Sequence, residues 1–171
     1  MLRALVASML LLGCSSAPLP PAAHPIRVGL VGPAEQWSEA TDAAIAAWNR
    51  EAGCAVFVRT VERVDVSVVA GDARQRDIAR WRAGERAITL EQVVDVEGAY
   101  RAVVHELGHV LGLGHDAPSP TWWPADSVMS TAAAGPDPIA LRSVLPGEVA
   151  GPKMLLVTEH AAAVARRHCA R

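Results

Sequence analysis

The sequence predicts one α+β domain over residues 26–171, and three observations point there. Runs with strand character and runs with helical periodicity follow one another in the order strand, helix, strands, helix, loop, helix. The helical stripes are punctuated by glycine, and the strand runs are rich in valine. The chain has 171 residues, enough to bury a core as one domain, and no internal repeat.

Taken in order, residues 25–31 alternate and predict the first strand. Residues 35–52 predict a helix, because Trp37, Thr41, Ala44, Ile45 and Trp48 fall on one stripe and Gly53 can stop it. These two tryptophans are read as core. Residues 55–61 are a β-branched run that predicts a buried strand. Val64, Val66 and Val68 alternate with Asp65 and Ser67, as in a strand with one wet face. Residues 71–84 are polar and predict a loop with a short edge strand near 78–81. Ile88 and Leu90 alternate with Thr89 and Glu91 in another strand. Asp95 or Glu97 can cap a helix over 98–112, with Ala102, Val103, Val110 and Leu111 on its buried side. A proline-rich loop follows from 118 to 138. Pro152 can open the last helix, with Met154, Val157, Ala161 and Val164 on one stripe, and Arg166, Arg167 and His168 near its end suit the helix dipole.

The first 25 residues read differently. Arg3 and the apolar run 4–12 form a signal-peptide core too short to span a bilayer. The run ends in Leu12-Gly13-Cys14-Ser15, which resembles a bacterial lipobox, with cleavage after residue 13 and lipid on Cys14. An exported, membrane-attached lipoprotein is therefore expected, with a plain secreted form as the alternative. Residues 14–25 hold Pro18, Pro20, Pro21 and Pro25 and read as a tether. Once Cys14 is set aside, Cys54 and Cys169 remain. An oxidising compartment could join them in a disulfide between the end of the first helix and the end of the last; two buried free thiols are the alternative. Net charge is −2 and no basic stripe is visible, which argues against a nucleic-acid partner. A monomer is expected.

The chemistry concentrates in residues 105–115, His-Glu-Leu-Gly-His-Val-Leu-Gly-Leu-Gly-His. His105 and His109 are four apart, so on a helix both imidazoles lie on one face and can reach one ion. Gly112 can take a positive φ and turn the chain, which returns His115 as a third ligand. Three histidines leave one tetrahedral position for water, as in a catalytic zinc site. Glu106 stands beside the first ligand, where a general base for that water is needed.

His105-Glu106-x-x-His109-x-x-Gly112-x-x-His115 resembles the metzincin signature. Met129, in Ser127-Val128-Met129-Ser130, resembles the turn methionine that in this family is a packing floor beneath the metal and not a ligand. The compact size is similar to bacterial matrixin-like domains, whereas Asp116 after the third histidine is more like the adamalysin branch. An astacin would carry glutamate at 116 and a tyrosine soon after the turn methionine, and the one tyrosine here is Tyr100. His24 is the one histidine ahead of the motif, so the histidines of a matrixin structural zinc site are missing.

The resemblance implies a twisted mixed sheet over an active-site helix, with a Met-turn and a C-terminal helix. It also implies a zinc-dependent endopeptidase, in which Glu106 takes a proton from the zinc-bound water and passes it to the leaving amine. An extended peptide substrate would pair with the sheet's edge strand; residues 77–81 and 86–91 both qualify. Trp122 and Trp123 are read as loop packing, with a place in the substrate pocket as the alternative. Asp116 either orients a neighbour or is a solvated turn residue. His160 and His168 are read as surface residues. Metzincin loops often hold calcium, and Asp72, Asp77 and Asp95 are placed for it, although no calcium-loop pattern is readable. Two other functions stand beside the leading one: a non-catalytic zinc- or peptide-binding lipoprotein on the same scaffold, and a hydrolase of cell-wall peptide.

Overall fold

The computed structural model describes residues 24–71, 79–91, 93, 95–115, 128–129 and 159–169. Cys14 with its signal and the tether up to residue 23, Asp72, Asp77, Asp116, Trp122, Trp123, Pro152, Met154 and Val157 lie outside the described residues, as does most of the proline-rich loop. The described part is an α+β domain with a mixed five-stranded sheet and three helices.

Strand β1 (Ile26–Val31) leads through a 3-10 turn (Gly32–Trp37) into α1 (Ser38–Ala52), and β2 is Phe57–Arg59. The helix expected from residue 35 thus starts at Ser38, after the turn opened by Pro33. Thr41, Ala44, Ile45 and Trp48 form its buried stripe, and Trp37 is half-buried against the same core. Gly53 ends the helix at φ 74°, with Gly53 N–H bonding to the Arg50 carbonyl and Cys54 N–H to the Asn49 carbonyl. This is a Schellman ending, which needs a residue that tolerates the left-handed region. β2 is shorter than the run 55–61. The Asn49 side chain accepts from Val56 N–H (2.8 Å) and Phe57 N–H (2.9 Å) and donates to the Phe57 carbonyl (2.8 Å), tying the start of β2 to α1.

β3 (Val66–Ala70) buries Val66 and Val68 and turns Ser67 and Val69 outward, which is the expected alternation. β4 (Ala79–Arg82) and β5 (Ala87–Leu90) form a hairpin. The sheet order is β2-β1-β3-β5-β4, parallel from β2 to β5, with β4 antiparallel at the edge. Of the two candidates for the edge strand, residues 79–82 hold that place, and 87–90 lie between β3 and β4. Thr89 and Glu91, which alternate with Ile88 and Leu90 in the sequence, are buried along with them.

The long helix α2 (Val96–Val110) packs on α1 and on β4. Asp95 caps it from an extended conformation, its Oδ1 accepting from Gly98 N–H at 2.7 Å. Asp95 is therefore committed to capping. Trp48 lies fully buried between the two helices and donates its indole N–H to the Val104 carbonyl at 2.9 Å, so its large ring is buried with its polar atom satisfied.

α3 (Glu159–Arg166) packs on α1. Its buried stripe is Ala161, Ala162 and Ala165, and it continues to His168, which is 7 % exposed. The surface reading of His168 is thus corrected: it lies seven residues beyond Ala161 on the same face. His160 is exposed, and Val164 is only partly buried. Cys54 and Cys169 are joined in a disulfide. It bonds the end of α1 to the residue next to His168. No helix among the described residues is long and apolar enough to cross a membrane.

Candidate metal centre

The C-terminal half of α2 is buried nearly all round. Ala102, Val103, Val104, Leu107 and Val110 meet the core, and His105 (1 % exposed), Glu106 (4 %) and His109 (7 %) are buried with them. The sequence reading put only one side of this helix inside. The sheet edge, α1 and residues 128–129 enclose the remaining faces. Three ionisable side chains in such a place need partners, since an unpaired buried polar group is costly.

Each has one. His105 Nδ1–H donates to the Val128 carbonyl at 2.7 Å, and His109 Nδ1–H donates to the Leu113 carbonyl at 2.8 Å. A carbonyl only accepts, so both Nδ1 atoms carry hydrogen. In a neutral ring this leaves Nε2 as a bare lone pair. Burial pushes His109 below the usual imidazole range, which favours that neutral form; the bond to Leu113 works the other way and is the smaller effect. Glu106 accepts from the Trp81 main-chain N–H at 2.6 Å.

The end of α2 places the third histidine. Gly112 has φ 88°, Gly112 N–H bonds to the His109 carbonyl (2.9 Å), and Leu113 N–H bonds to the Gly108 carbonyl (3.0 Å). This Schellman turn reverses the chain while Leu113, buried, seals the helix end. His115 follows and is exposed. Its Nε2 lies 3.2 Å from His105 Nε2 and 3.1 Å from His109 Nε2.

The three residues could hold one metal ion. An ion bound tetrahedrally by imidazoles at about 2.0–2.1 Å needs its nitrogens about 3.3 Å apart. The observed spacings are close to that. A single N–H on His115 could satisfy one of the two facing lone pairs but not both, whereas a cation satisfies all three. The donor set therefore fits a divalent metal of nitrogen preference, and the carbonyls of Val128 and Leu113 orient its ligands.

Met129 is 2 % exposed and packs against Gly108, the glycine between the two helical ligands. A Cβ at 108 would run into the Met129 sulfur and come within 3.3 Å of Trp48 Cζ2. At an open helix position Gly→Ala adds about 1 kcal/mol. Here overpacking costs about 1–3 kcal/mol. Gly108→Ala is expected to be destabilising in urea unfolding; a stabilised variant would show that Met129 does not press on the helix.

Sequence reasoning reached His105, Glu106, His109, His115 and Met129, but not the groups that hold them. Val128 O, Leu113 O and Trp81 N–H belong to the main chain, which carries no residue-type signal. Gly108 was legible as a glycine inside a helix, where close approach of a neighbour is the usual reason.

No family model matches the chain, and no curated protein matches it.

Proposed function

We propose that this protein is a zinc-dependent endopeptidase of metzincin type, exported and attached to a membrane by lipid on Cys14. The observation that carries the reading is the convergence of three imidazole Nε2 atoms, two of them on rings oriented by main-chain carbonyls, on the helix that also bears a buried carboxylate. A zinc ion held there would polarise a substrate carbonyl and lower the pKa of water.

The chain's own groups have separate tasks. His105, His109 and His115 hold the ion. Glu106 accepts a proton from the attacking water and gives it to the departing amine. Its hydrogen bond to Trp81 fixes the carboxylate against the edge strand and keeps it from swinging. Because Trp81 N–H turns to Glu106, the 81–88 pair is not a hydrogen-bonded one, and residues 80 and 82 make the ladder to β5. The main-chain groups of Ala79 and the Trp81 carbonyl then face away from β5, with Trp81 N–H held by Glu106. β4 has no strand on that side among the described residues, so an extended peptide can add there as a further strand. Glu106 also favours an enzyme over a zinc- or peptide-binding module, because binding alone does not require a buried carboxylate beside the ligands.

A mixed-peptide digest, with products identified by mass spectrometry, tests the reading. Internal cleavage is expected, lost on chelation and restored by one equivalent of zinc. A folded, zinc-loaded protein that cleaves no peptide would overturn it.

A further inference from the structure

Glu91 is a buried acid that the proposed reaction does not use. It follows β5 directly, and its side chain is 1 % exposed. A buried carboxylate is costly unless a cation or hydrogen bonds compensate it. Among the described residues the cation within 4 Å is Arg82, the last residue of β4, whose Nη2 lies 3.6 Å from Glu91 Oε1. The stem of Glu91 is held as well. It runs close over Gly71, just past β3, where an added Cβ would come within 2.7 Å of Glu91 Cγ.

Charge holds this pair together. Its separation of 3.6 Å is longer than a hydrogen bond. Glu91 Oε2 and Arg82 Nε are both buried with no hydrogen-bond partner among the described residues, so the two groups do not meet as a fork. Arg82 Nη1 also lies 3.4 Å from Glu85 Oε1 in the hairpin turn, but Glu85 is exposed and such a pair contributes little.

The place of the pair links it to the site. β4 is four residues long, and its ladder to β5 is its one strand pairing among the described residues. Cross-strand partners share a face, so Arg80, Arg82, Thr89 and Glu91 are on one face of the hairpin and Trp81 and Ile88 on the other. Two buried carboxylates therefore grip adjacent residues of the edge strand. Glu106, on α2, accepts from Trp81 N–H at 2.6 Å, and Glu91, past the end of β5, attracts Arg82 across the face opposite the Trp81 side chain.

We infer that Glu91 is a positioning residue for the substrate: through Arg82 it fixes the level of β4, so that an extended peptide pairs with residues 79–81 in the register that brings its scissile bond to the metal centre. The inference rests on the endopeptidase reading above and adds to it what sets the substrate's register. Glu91 and Arg82 have no part in holding the metal or moving the proton.

The test is steady-state cleavage, by the zinc-loaded full chain, of a fluorogenic peptide built on a sequence cut in the digest. The variants are Glu91→Gln, Arg82→Met, Arg82→Lys and the double Arg82→Met/Glu91→Gln. Losing one or two main-chain hydrogen bonds to the substrate corresponds to about 10-fold in binding. Glu91→Gln and Arg82→Met should each raise KM by about 10-fold, with kcat and zinc affinity changed by less than about threefold. The double variant should be no worse than either single one, because both remove the same attraction. Arg82→Lys should keep a KM near wild type, since a point charge suffices at this separation. In the double variant both charges leave together, so its melting temperature should return close to wild type while KM stays raised, which separates positioning from general stability. Should Glu91→Gln fail to fold, Arg82→Met and the double variant decide. A wild-type KM in folded Glu91→Gln or in the double variant overturns the inference alone, as does a KM in Arg82→Lys as high as in Arg82→Met. A zinc-loaded wild-type protein that cleaves no peptide overturns this inference and the proposed function together.

Discussion

Glu106→Gln is expected to bind zinc with near-wild-type stoichiometry and to lose about 10²–10⁴-fold in peptidase turnover. The amide has nearly the volume of the carboxylate, and its one carbonyl oxygen can still accept from Trp81 N–H, so the packing between α2 and β4 survives. What it loses is the ability to carry a proton. A drop in kcat with the metal retained and the fold intact isolates that role. The result that removes Glu106 as the base is near-normal cleavage by the zinc-loaded variant.

His109→Ala is expected to lose the metal. Structural zinc sites with four ligands bind with about 10–16 kcal/mol, so one ligand carries roughly 3–4 kcal/mol, a factor of several hundred in affinity. A second cost adds to this. Removing the ring takes the Nδ1–H donor from the Leu113 carbonyl, in the turn that delivers His115. An unsatisfied buried group costs about 1–3 kcal/mol. The variant should therefore retain no zinc after dialysis and melt lower than metal-free wild type. Burial lowers the His109 pKa, which favours the neutral ring that can bind a cation. Metal elemental analysis checks the prediction, and one zinc per chain in the dialysed variant would contradict the ligand assignment.

Much of this arrangement was legible before the structure, for reasons that differ by element. The spacing of His105 and His109 is meaningful only on a helix, and the turn at Gly112 needs the one residue type that takes φ 88° at no steric cost. The stripe on α1 and the alternation in β3 follow directly from side-chain periodicity. Other features depend on neighbours that are remote in the chain. β5 is buried on both faces whereas β3, equally interior in the sheet, is not, and no local pattern shows which strand has both faces covered. β2 is short because Asn49 captures its first amides from a helix eight residues upstream. The choice of 79–82 as the edge depends on strand order, which pairing alone decides. His168 had a signal that went unused. It is seven residues past Ala161, so the buried stripe of α3 runs through it, but its charge-capable ring and its place near the end of a helix suggested solvent and the dipole.

The account places one cation among three imidazoles, and X-ray absorption at the zinc edge of the loaded full-length protein measures that most directly. It predicts one zinc per chain with three imidazole nitrogens at about 2.0–2.1 Å and a light atom completing the shell. Sulfur in the shell, fewer than three imidazoles, or failure to retain one equivalent of zinc would contradict it.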